Sequence, residues 1–297
     1  MRDGAIASTS FEDPRRFLGR HGLRPKDSFG QCFLTAPHVA ERIVDAVGAE
    51  PGDTVVEIGT GCGTLARMLA PRASRVLAIE RDRDLVAALR TEPLPATVEL
   101  IETDAASYDY DSVCARGPTR IVGNLPYQIT GKILRALITP PVHWRCAVVM
   151  VQREVARRLL AAPGDDAWGV LGIFATNTCT VRKVLDAAPG CFHPTPRVHS
   201  MVVRLEPRES PTVSETPGFV TLVHALFAAR RKTLRNGLAN VPGLGRADAD
   251  AALAAAGVDP GRRPETLTLV ELGALATAVG VPPPAADGGD LPRNRRR

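Results

Sequence analysis

The stretch Glu57-Ile58-Gly59-Thr60-Gly61-Cys62-Gly63 decides the fold of this chain. It ends the short apolar run 54–58, which has the length and β-branched content of a buried strand, and it precedes a helical pattern that continues to Leu69. Glycines at this place allow a tight turn and let a ligand approach the backbone closely. A dinucleotide fingerprint would need a third glycine where Thr64 stands. The stretch therefore predicts either a ligand loop of another kind or a purely structural turn.

Strand and helix patterns alternate on both sides of this loop. Strands are predicted at 54–58, 75–80, 98–101, 120–123 and 147–151. Helices are predicted at 37–47, from the loop to Leu69, at 83–90, at 130–138 and from the last strand to Leu160. Such alternation predicts an α/β, Rossmann-like domain with a mostly parallel sheet covered by helices on both faces. Ligands of these sheets bind at the C-terminal ends of the strands, where Glu57, Gly59, Glu80, Asp104 and Asn124 fall.

The character of the chain changes after Pro207. A polar, proline-bearing linker at 209–217 leads into alanine- and leucine-rich helical patterns at 219–229, 233–239, 247–256 and 267–279. We therefore expect four parts: a flexible leader at 1–13, the α/β domain at 14–208, a small all-helical domain at 209–280, and a disordered basic tail at 281–297.

The composition excludes several classes of protein. Hydrophobic residues make up 44% and charged residues 23% of the chain, which rules out a disordered chain, a fibre and a disulfide scaffold. There is no apolar run long enough for a membrane span and no apolar run after the initial Met, so we expect a cytoplasmic protein with no membrane partner. The formal net charge of +5 rests largely on Arg293, Arg295, Arg296 and Arg297, so it says little about a nucleic-acid partner.

The cysteines predict neither disulfides nor a metal site. The six cysteines form no C-x-x-C pair, and none lies near a histidine at zinc-finger spacing. Scattered thiols in a chain without a secretory signal are expected to be reduced and structural.

Two acidic residues at predicted strand ends suit an adenosine ligand. Glu80 could accept hydrogen bonds from both ribose hydroxyls, although it could also be a solvated acid beside Arg81 and Arg83. Asp104 could accept the adenine amino group, or it could simply cap a turn. Together with the glycine loop, the two acids favour an adenosine pocket.

The pentapeptide Gly123-Asn124-Leu125-Pro126-Tyr127 follows the fourth predicted strand. The nitrogen of an adenine N6 amine is a poor nucleophile because its lone pair is delocalised into the ring. The Asn124 side-chain oxygen and the Leu125 carbonyl can each accept one hydrogen of such an amine, and Pro126 stiffens the backbone between them. Tyr127 offers a face on which an extruded base can stack. The alternative is a proline turn with Asn124 as a cap and Tyr127 in the core.

The chain resembles the ribosomal RNA adenine N6-dimethyltransferases from about Phe17 to Leu272. The glycine loop resembles motif I of S-adenosylmethionine-dependent methyltransferases, and Asn-Leu-Pro-Tyr resembles the motif of enzymes that methylate exocyclic amines. The segments SFGQCFL at 28–34, FHPTPRVHS at 192–200 and FAARRKTLRN at 227–236 resemble three further motifs of the family. The last of these is more typical of the small-subunit branch than of the macrolide-resistance branch.

The resemblance implies S-adenosylmethionine as cofactor and assigns roles to individual residues. The implied cofactor-binding residues are Gln31, Cys32, Leu34 (through its backbone), Glu57, Gly59, Gly61, Glu80, Asp104, Ala105 and Asn124. Asn124, Leu125 and Pro126 would hold the target amine, and Tyr127 and Phe192 would stack on the flipped adenine. Cys32 departs from the family, which has asparagine there.

Basic residues beside the motifs are candidate RNA contacts, with a solvated helix face as the alternative reading of each cluster. These residues are Lys26, Arg153, Arg230, Arg231, Lys232 and Arg235.

The expected activity is methyl transfer to N6 of two adjacent adenines in small-subunit ribosomal RNA, by a monomer that binds the small-subunit precursor. Three alternatives remain open at this point. They are a large-subunit resistance methyltransferase, a non-catalytic RNA-binding assembly factor, and a methyltransferase of small-molecule amines.

Overall fold

The structure, a computed structural model, describes residues 11–239, 241 and 243–280. Contacts group the described residues into two units: one holds 11–160 and 174–210, and the other holds 161–173 and the described residues from 211 to 280. The expected domains at 14–208 and 209–280 were continuous, whereas here 161–173 groups with the C-terminal part. The predicted tail at 281–297 and the first ten residues of the predicted leader lie outside the described residues.

The first unit is built on a seven-stranded sheet. Its strands are β2 (Thr54–Ile58), β3 (Arg75–Glu80), β4 (Val98–Glu102), β5 (Thr119–Asn124), β6 (Cys146–Gln152), β7 (Cys179–Ala187) and β9 (Ser200–Pro207). They lie in the order β4-β3-β2-β5-β6-β9-β7, and the pairs from β4 to β6 are parallel. Strand β9 pairs antiparallel with both of its neighbours, so the sheet is mostly parallel, as predicted. A separate two-stranded ladder joins β1 (Phe33–Leu34) to β8 (Phe192–His193).

Helices flank this sheet. They are α1 (Pro14–Arg20), α2 (Pro37–Val47), α3 (Thr64–Leu69), α4 (Arg83–Thr91), α5 (Tyr110–Cys114), α6 (Thr130–Ile138) and α7 (Arg153–Leu160). Helix α2 shows why the sequence folds this way. Pro37 fits the first turn, the apolar side chains of Val39, Ile43 and Val44 are buried on one face, and Gly48 ends the helix in the left-handed conformation.

The sequence predicted all five parallel strands but missed other elements of this unit. Strand β7 was missed because it lies at the edge of the sheet. Its exposed residues Arg182 and Lys183 interrupt the alternation of apolar and polar residues that predicts a strand. Helix α8 (Val170–Thr178) is apolar on most sides, so it lacks a helical period. The described end of the predicted leader is also structured: Phe11 packs against the core, and Asp13 caps α1.

The second unit is helical, as predicted. It contains α9 (Pro217–Ala228), α10 (Leu234–Leu238), α11 (Arg246–Ala255) and α12 (Leu269–Val279). The segment 161–173 joins it through the indole nitrogen of Trp168, which donates to the Leu267 carbonyl over 3.1 Å. A helix long and apolar enough to cross a membrane is not found among the described residues.

Candidate active site

A cleft lies at the C-terminal ends of β2, β3 and β5. The strand order changes direction at β2, which lies between β3 and β5. This edge is therefore the topological switch point at which ligands of such sheets bind. The glycine loop, the ends of β3 and β4, and the turn after β5 all line it. Of the residues predicted for cofactor and target, the cleft is lined by Gln31, Cys32, Gly59, Gly61, Glu80, Asp104, Ala105, Asn124, Leu125, Pro126 and Tyr127.

The glycine loop is held by hydrogen bonds that leave room for a ligand. Gly59 has φ +71° and donates its N–H to the Ile79 carbonyl over 2.9 Å. Gly61 has φ +58°, and a methyl group there would lie 3.1 Å from the Phe33 ring. Because positive φ and close neighbours coincide, a side chain at Gly61 would strain the backbone and narrow the cleft.

Glu80 is a buried acid and not a solvated one. The residue is 9% exposed. One carboxylate oxygen accepts from the Gly61 N–H over 2.8 Å, and the other accepts from the N–H groups of Arg81 and Asp82 over 2.8 and 2.9 Å. Burial raises the pKa of Glu80 even though these donors oppose it. Oε1 already accepts two donors, while Oε2 accepts only Gly61 and keeps capacity for one more, so the carboxylate can still accept a ribose hydroxyl.

Glu57 lies beside the glycine loop but away from the cleft surface, and its predicted cofactor contact stays a prediction. Its side chain is buried and does not line the cleft; it accepts a hydrogen bond from the Thr60 hydroxyl over 2.7 Å. Burial raises the pKa of Glu57 to about 8, with the nearby Glu80 adding to the effect. Glu57 therefore supports the glycine loop from beneath.

Asp104 caps a turn, and its predicted contact with an adenine stays a prediction. Its carboxylate caps a turn by accepting the Ala106 N–H over 2.9 Å, and it lies 3.3 Å from a guanidinium nitrogen of Arg81. The residue also lines the cleft beside Ala105. A capped acid at this position is oriented and can still accept from an adenine amino group.

The turn after β5 contains the two oxygen atoms that are the candidate amine acceptors. The Asn124 side-chain nitrogen donates to the Cys32 carbonyl over 2.8 Å, and because a carbonyl can only accept, this bond fixes which end of the amide is nitrogen. The Pro126 carbonyl accepts from Ile129 N and from the Thr130 hydroxyl. Within the described residues, neither the Asn124 side-chain oxygen nor the Leu125 carbonyl accepts a hydrogen bond.

The turn and the glycine loop lie against each other. A methyl group built on Gly59 would lie 3.8 Å from the Asn124 carbonyl oxygen and 3.9 Å from the Pro126 ring. At Gly123, a methyl group would come within 2.7 Å of the Ile58 carbonyl oxygen, so this strand position requires glycine. The candidate cofactor loop and the candidate amine acceptors thus share one cleft.

The two aromatic residues predicted to stack on a base are placed differently. Tyr127 is half-buried, lines the cleft, and has its hydroxyl 2.9 Å from that of Ser200. Burial raises the pKa of Tyr127. Phe192 is only 3% exposed, packs in the core and does not line the cleft, because β8 pairs it with Leu34 of β1. Leu34 is likewise buried and off the cleft surface.

The cleft also contains residues that the sequence did not single out, among them Phe29 and Gln128. The Phe29 ring contacts two cations: the Lys26 ammonium lies 5.5 Å from its centroid and the Arg81 guanidinium 5.4 Å. Asp82 supports the same region and caps α4. An aspartate directly before an apolar helical pattern is a recognisable N-cap signal, so Asp82 could have been found as a cap but not as a part of the site.

The predicted RNA contacts divide into paired and unpaired charges. Arg230 donates to the Asp166 carbonyl, and Arg235 forms an ion pair of 2.6 Å with Asp250. Lys26 is bound by carboxylates at the cleft. Within the described ranges no ion pair involves the exposed residues Arg153, Arg231 and Lys232.

The structure gives no support to a metal site. No group of three or more His, Cys, Asp or Glu side chains among residues 11–239, 241 and 243–280 could hold an ion. All six cysteines are free thiols.

A mostly parallel sheet that brings a glycine loop, a buried strand-end acid and two oxygen atoms without a hydrogen bond from the described residues to one edge has the arrangement of an S-adenosylmethionine-dependent methyltransferase. The residues present fit that cofactor, since Gly59 and Gly61 leave backbone exposed to the cleft and Glu80 is a buried acceptor. The model of the ribosomal RNA adenine dimethylase family matches residues 22–270, and the chain belongs to that family.

Relatives and solved structures agree with this assignment. The ribosomal RNA small subunit methyltransferase A of Myxococcus xanthus strain DK1622 is 42% identical over 277 residues, which cover 92% of this chain and 98% of the relative. The crystal structure of a dimethyladenosine transferase from Plasmodium falciparum has a TM-score of 0.71 and 25% identity, and covers 84% of this chain and 98% of that one. That of the 23S rRNA methyltransferase ErmE has a TM-score of 0.61 and 25% identity, covering 84% and 99%.

Proposed function

We propose that the protein transfers methyl groups from S-adenosylmethionine to the exocyclic N6 of two adjacent adenines in the 16S RNA of the small ribosomal subunit during ribosome biogenesis. The family membership supports the chemistry. The relative from Myxococcus xanthus, whose name specifies the small subunit, supports the choice of RNA.

One observation carries the proposal: the Asn124 side-chain oxygen and the Leu125 carbonyl accept no hydrogen bond among the described residues, although both residues line the cleft. A primary exocyclic amine has two hydrogens and therefore matches two acceptors. Accepting both hydrogens draws electron density onto the amine nitrogen and fixes its orientation, which favours attack more than it favours binding. Pro126 lacks an N–H, so the turn offers no competing donor at its centre.

The remaining residues hold the reactants in place. Glu80 and Asp104 would hold the ribose and adenine of the cofactor, and the backbone at Gly59 and Gly61 would admit its methionine part. The cofactor supplies a methyl group on a sulfonium, a strong electrophile, so no strong general base is required. In each transfer the amine nitrogen would bond to the methyl carbon as the sulfonium–methyl bond breaks, the cofactor would leave as the neutral thioether S-adenosylhomocysteine, and the methylated amine would release one proton to water. The second methyl group would replace the second hydrogen.

Base recognition in this proposal begins with Tyr127, whose ring is already in the cleft. The stacking role of Phe192 stays a prediction. It requires the buried ring to leave its core packing when an adenine enters. Extruding the base from its helix gives N6 access to the turn.

We propose that RNA phosphates contact the exposed basic residues that form no ion pair among the described residues. These are Arg153, Arg231 and Lys232. Arg230 and Arg235 belong to the proposal as predicted, although each already has a partner in the protein. Lys26 stays a predicted RNA contact, while its ammonium lies between two carboxylates. Phosphate contacts release counterions, so RNA affinity should fall as salt rises.

The proposed function is tested by incubating the protein with labelled cofactor and separately purified, undermethylated small and large ribosomal particles, and then mapping the labelled nucleotide. Label on N6 of two adjacent adenines of the small particle is expected. Label in the large particle would instead support a resistance methyltransferase. Cofactor binding without label in either particle would support an assembly factor, and labelling of free nucleosides would support a small-molecule enzyme.

We propose a monomer that acts in the cytoplasm, where small-subunit precursors are assembled. Sedimentation of the purified protein and fractionation of cells that express it test these two points. A stable dimer or a membrane-bound pool would contradict them.

A further inference from the structure

The segment 26–34 forms one wall of the cofactor cleft and is tied to the rest of the first unit at several places. The side of the cleft that it forms is lined by Ser28, Phe29, Gly30, Gln31, Cys32 and Phe33. We call this segment the strap. At its C-terminal end, the strand pair Phe33–Leu34 with Phe192–His193 holds it. In its middle, the Cys32 carbonyl accepts from the Asn124 side chain.

The N-terminal end of the strap is held by Asp82. One Asp82 oxygen accepts from the Lys26 ammonium over 2.5 Å and the other from the Gln31 side-chain nitrogen over 2.6 Å. The Gln31 side-chain oxygen in turn accepts the Lys26 N–H over 2.8 Å. The Asp82 side chain is 2% exposed and that of Lys26 is 33% exposed, so the Asp82 end of these bonds is shielded from solvent, which makes them stronger than bonds between two fully exposed side chains.

Asp82 also connects the strap to the ribose acid. Its backbone N–H donates to the Glu80 carboxylate over 2.9 Å, while its side chain caps α4 at the Asp84 N–H over 3.0 Å. Burial by itself would raise the pKa of Asp82, but the bonds from Lys26 and Gln31 outweigh it and hold that pKa below its usual value. The carboxylate is therefore charged at neutral pH and attracts Lys26.

We infer that Asp82 is a positioning residue that holds the strap closed over the cofactor through Lys26 and Gln31. Asp82 lies outside the cleft surface and acts through the strap, so it governs how tightly the cofactor is retained and not the transfer step itself. This inference rests on the proposed function only for the identity of the cofactor.

The variant Asp82→Asn tests the inference, because asparagine has the same shape and can still cap α4 but carries no charge for Lys26. We expect S-adenosylmethionine to bind about tenfold more weakly by calorimetry, as for the loss of one hydrogen bond to a charged group. The KM for the cofactor should rise by a similar factor, while kcat at saturating cofactor stays within about twofold. Amide hydrogen exchange of residues 27–33 should be faster in the variant without cofactor.

Asp84→Asn is the matched control. Asp84 binds the same ammonium over 2.6 Å, but its side chain is 62% exposed and has no bond to Gln31. Its loss should change cofactor affinity less than twofold. Lys26→Met provides a second route if Asp82→Asn does not fold. It should weaken cofactor binding by a similar factor, and Lys26→Arg should restore most of it.

Unchanged cofactor affinity and exchange in Asp82→Asn, or equal losses in Asp82→Asn and Asp84→Asn, would overturn the inference. If Asp82→Asn does not fold, unchanged affinity in Lys26→Met would do the same. A fall in kcat without a change in the KM for the cofactor would mean that Asp82 has a structural role, and this result would also contradict the inference. If the wild-type protein binds the cofactor but labels no ribosomal particle, the proposed function is contradicted while the inference about Asp82 still holds.

Discussion

The side-chain nitrogen of Asn124 donates a 2.8 Å hydrogen bond to the main-chain carbonyl of Cys32. The bond turns the amide so that its oxygen accepts no hydrogen bond from the described residues, and it joins the turn after β5 to the strap. Since the acceptor is a main-chain atom, the bond does not depend on which side chain stands at position 32. The thiol of Cys32, where the family has asparagine, therefore does not change the orientation of the Asn124 amide.

Asn124→Asp should abolish most of the methyl transfer. A carboxylate cannot donate to the Cys32 carbonyl, so the bond becomes a repulsion between two acceptors and the turn loses its preset geometry. We expect the rate on undermethylated small particles to fall on the order of 10²-fold, as for other lost transition-state contacts. Calorimetry and thermal melting separate this effect from loss of cofactor binding or of folding. Transfer at the wild-type rate would show that the amide orientation does not matter.

Cys32→Asn should leave cofactor affinity equal or make it tighter. The substitution keeps the carbonyl that Asn124 uses, and it replaces a weakly hydrogen-bonding thiol by an amide at the cleft surface. Burial raises the pKa of the Cys32 thiol, with Asp27 adding to the effect, so no thiolate contact is lost at neutral pH. Calorimetric titration with S-adenosylmethionine checks this, and a large loss of affinity would contradict it.

The sequence predicted the parallel strands because each is a short apolar run that ends at a chemically distinctive residue. It predicted that Gly59, Glu80, Asp104 and Asn124 would meet because strand ends of a parallel sheet share one edge. It could not predict the strap contacts of Asp82, since Lys26 and Asp82 are far apart in sequence and neither side chain belongs to a motif quoted for the family. It also gave no sign that Glu57 would point beneath the loop, because the burial of a strand-end acid depends on the layers around it.

Gly61→Ala should weaken cofactor binding because a methyl group there meets the Phe33 ring at 3.1 Å. Gly22→Ala is the matched control: Gly22 has φ +65°, similar to the +58° of Gly61, but nothing lies within 4 Å of its added methyl group. Both variants should lose about 1 kcal/mol of unfolding free energy from left-handed strain. Only Gly61→Ala should also lose cofactor affinity, by about tenfold or more, measured by calorimetry. Equal cofactor affinities in the two variants would mean that the Phe33 ring moves away from the added methyl group without weakening cofactor binding.

Glu57→Gln should change how stability depends on pH. The pKa of Glu57 rises from 4.5 to about 8 on folding because the group is buried. Between these values the unfolded chain releases the proton while the folded protein keeps it, so the wild-type free energy of unfolding falls as pH rises, by up to ~1.4 kcal/mol per unit. Glutamine has no proton to release and still accepts from Thr60.

The stability of Glu57→Gln relative to wild type should therefore increase from pH 5 to pH 8 in denaturant titrations. Glu41→Gln, a change at an exposed helix position, serves as the control and should follow the wild-type curve. Parallel curves for wild type and Glu57→Gln would mean that Glu57 is ionised in the folded protein.

The double variant Arg231→Ala, Lys232→Ala should bind small-subunit RNA more weakly and with a shallower salt dependence. Both side chains are exposed and form no ion pair within the described part of the chain, so their charges are available to phosphates. Each lost phosphate contact should lower the slope of log affinity against log salt by about 0.7 to 0.9. Arg235→Ala in the same segment is the comparison: Asp250 already neutralises its charge at 2.6 Å, so the slope should change less. If the double variant and Arg235→Ala give the same slope as wild type, the turn between α9 and α10 is a solvated surface segment and RNA binds elsewhere.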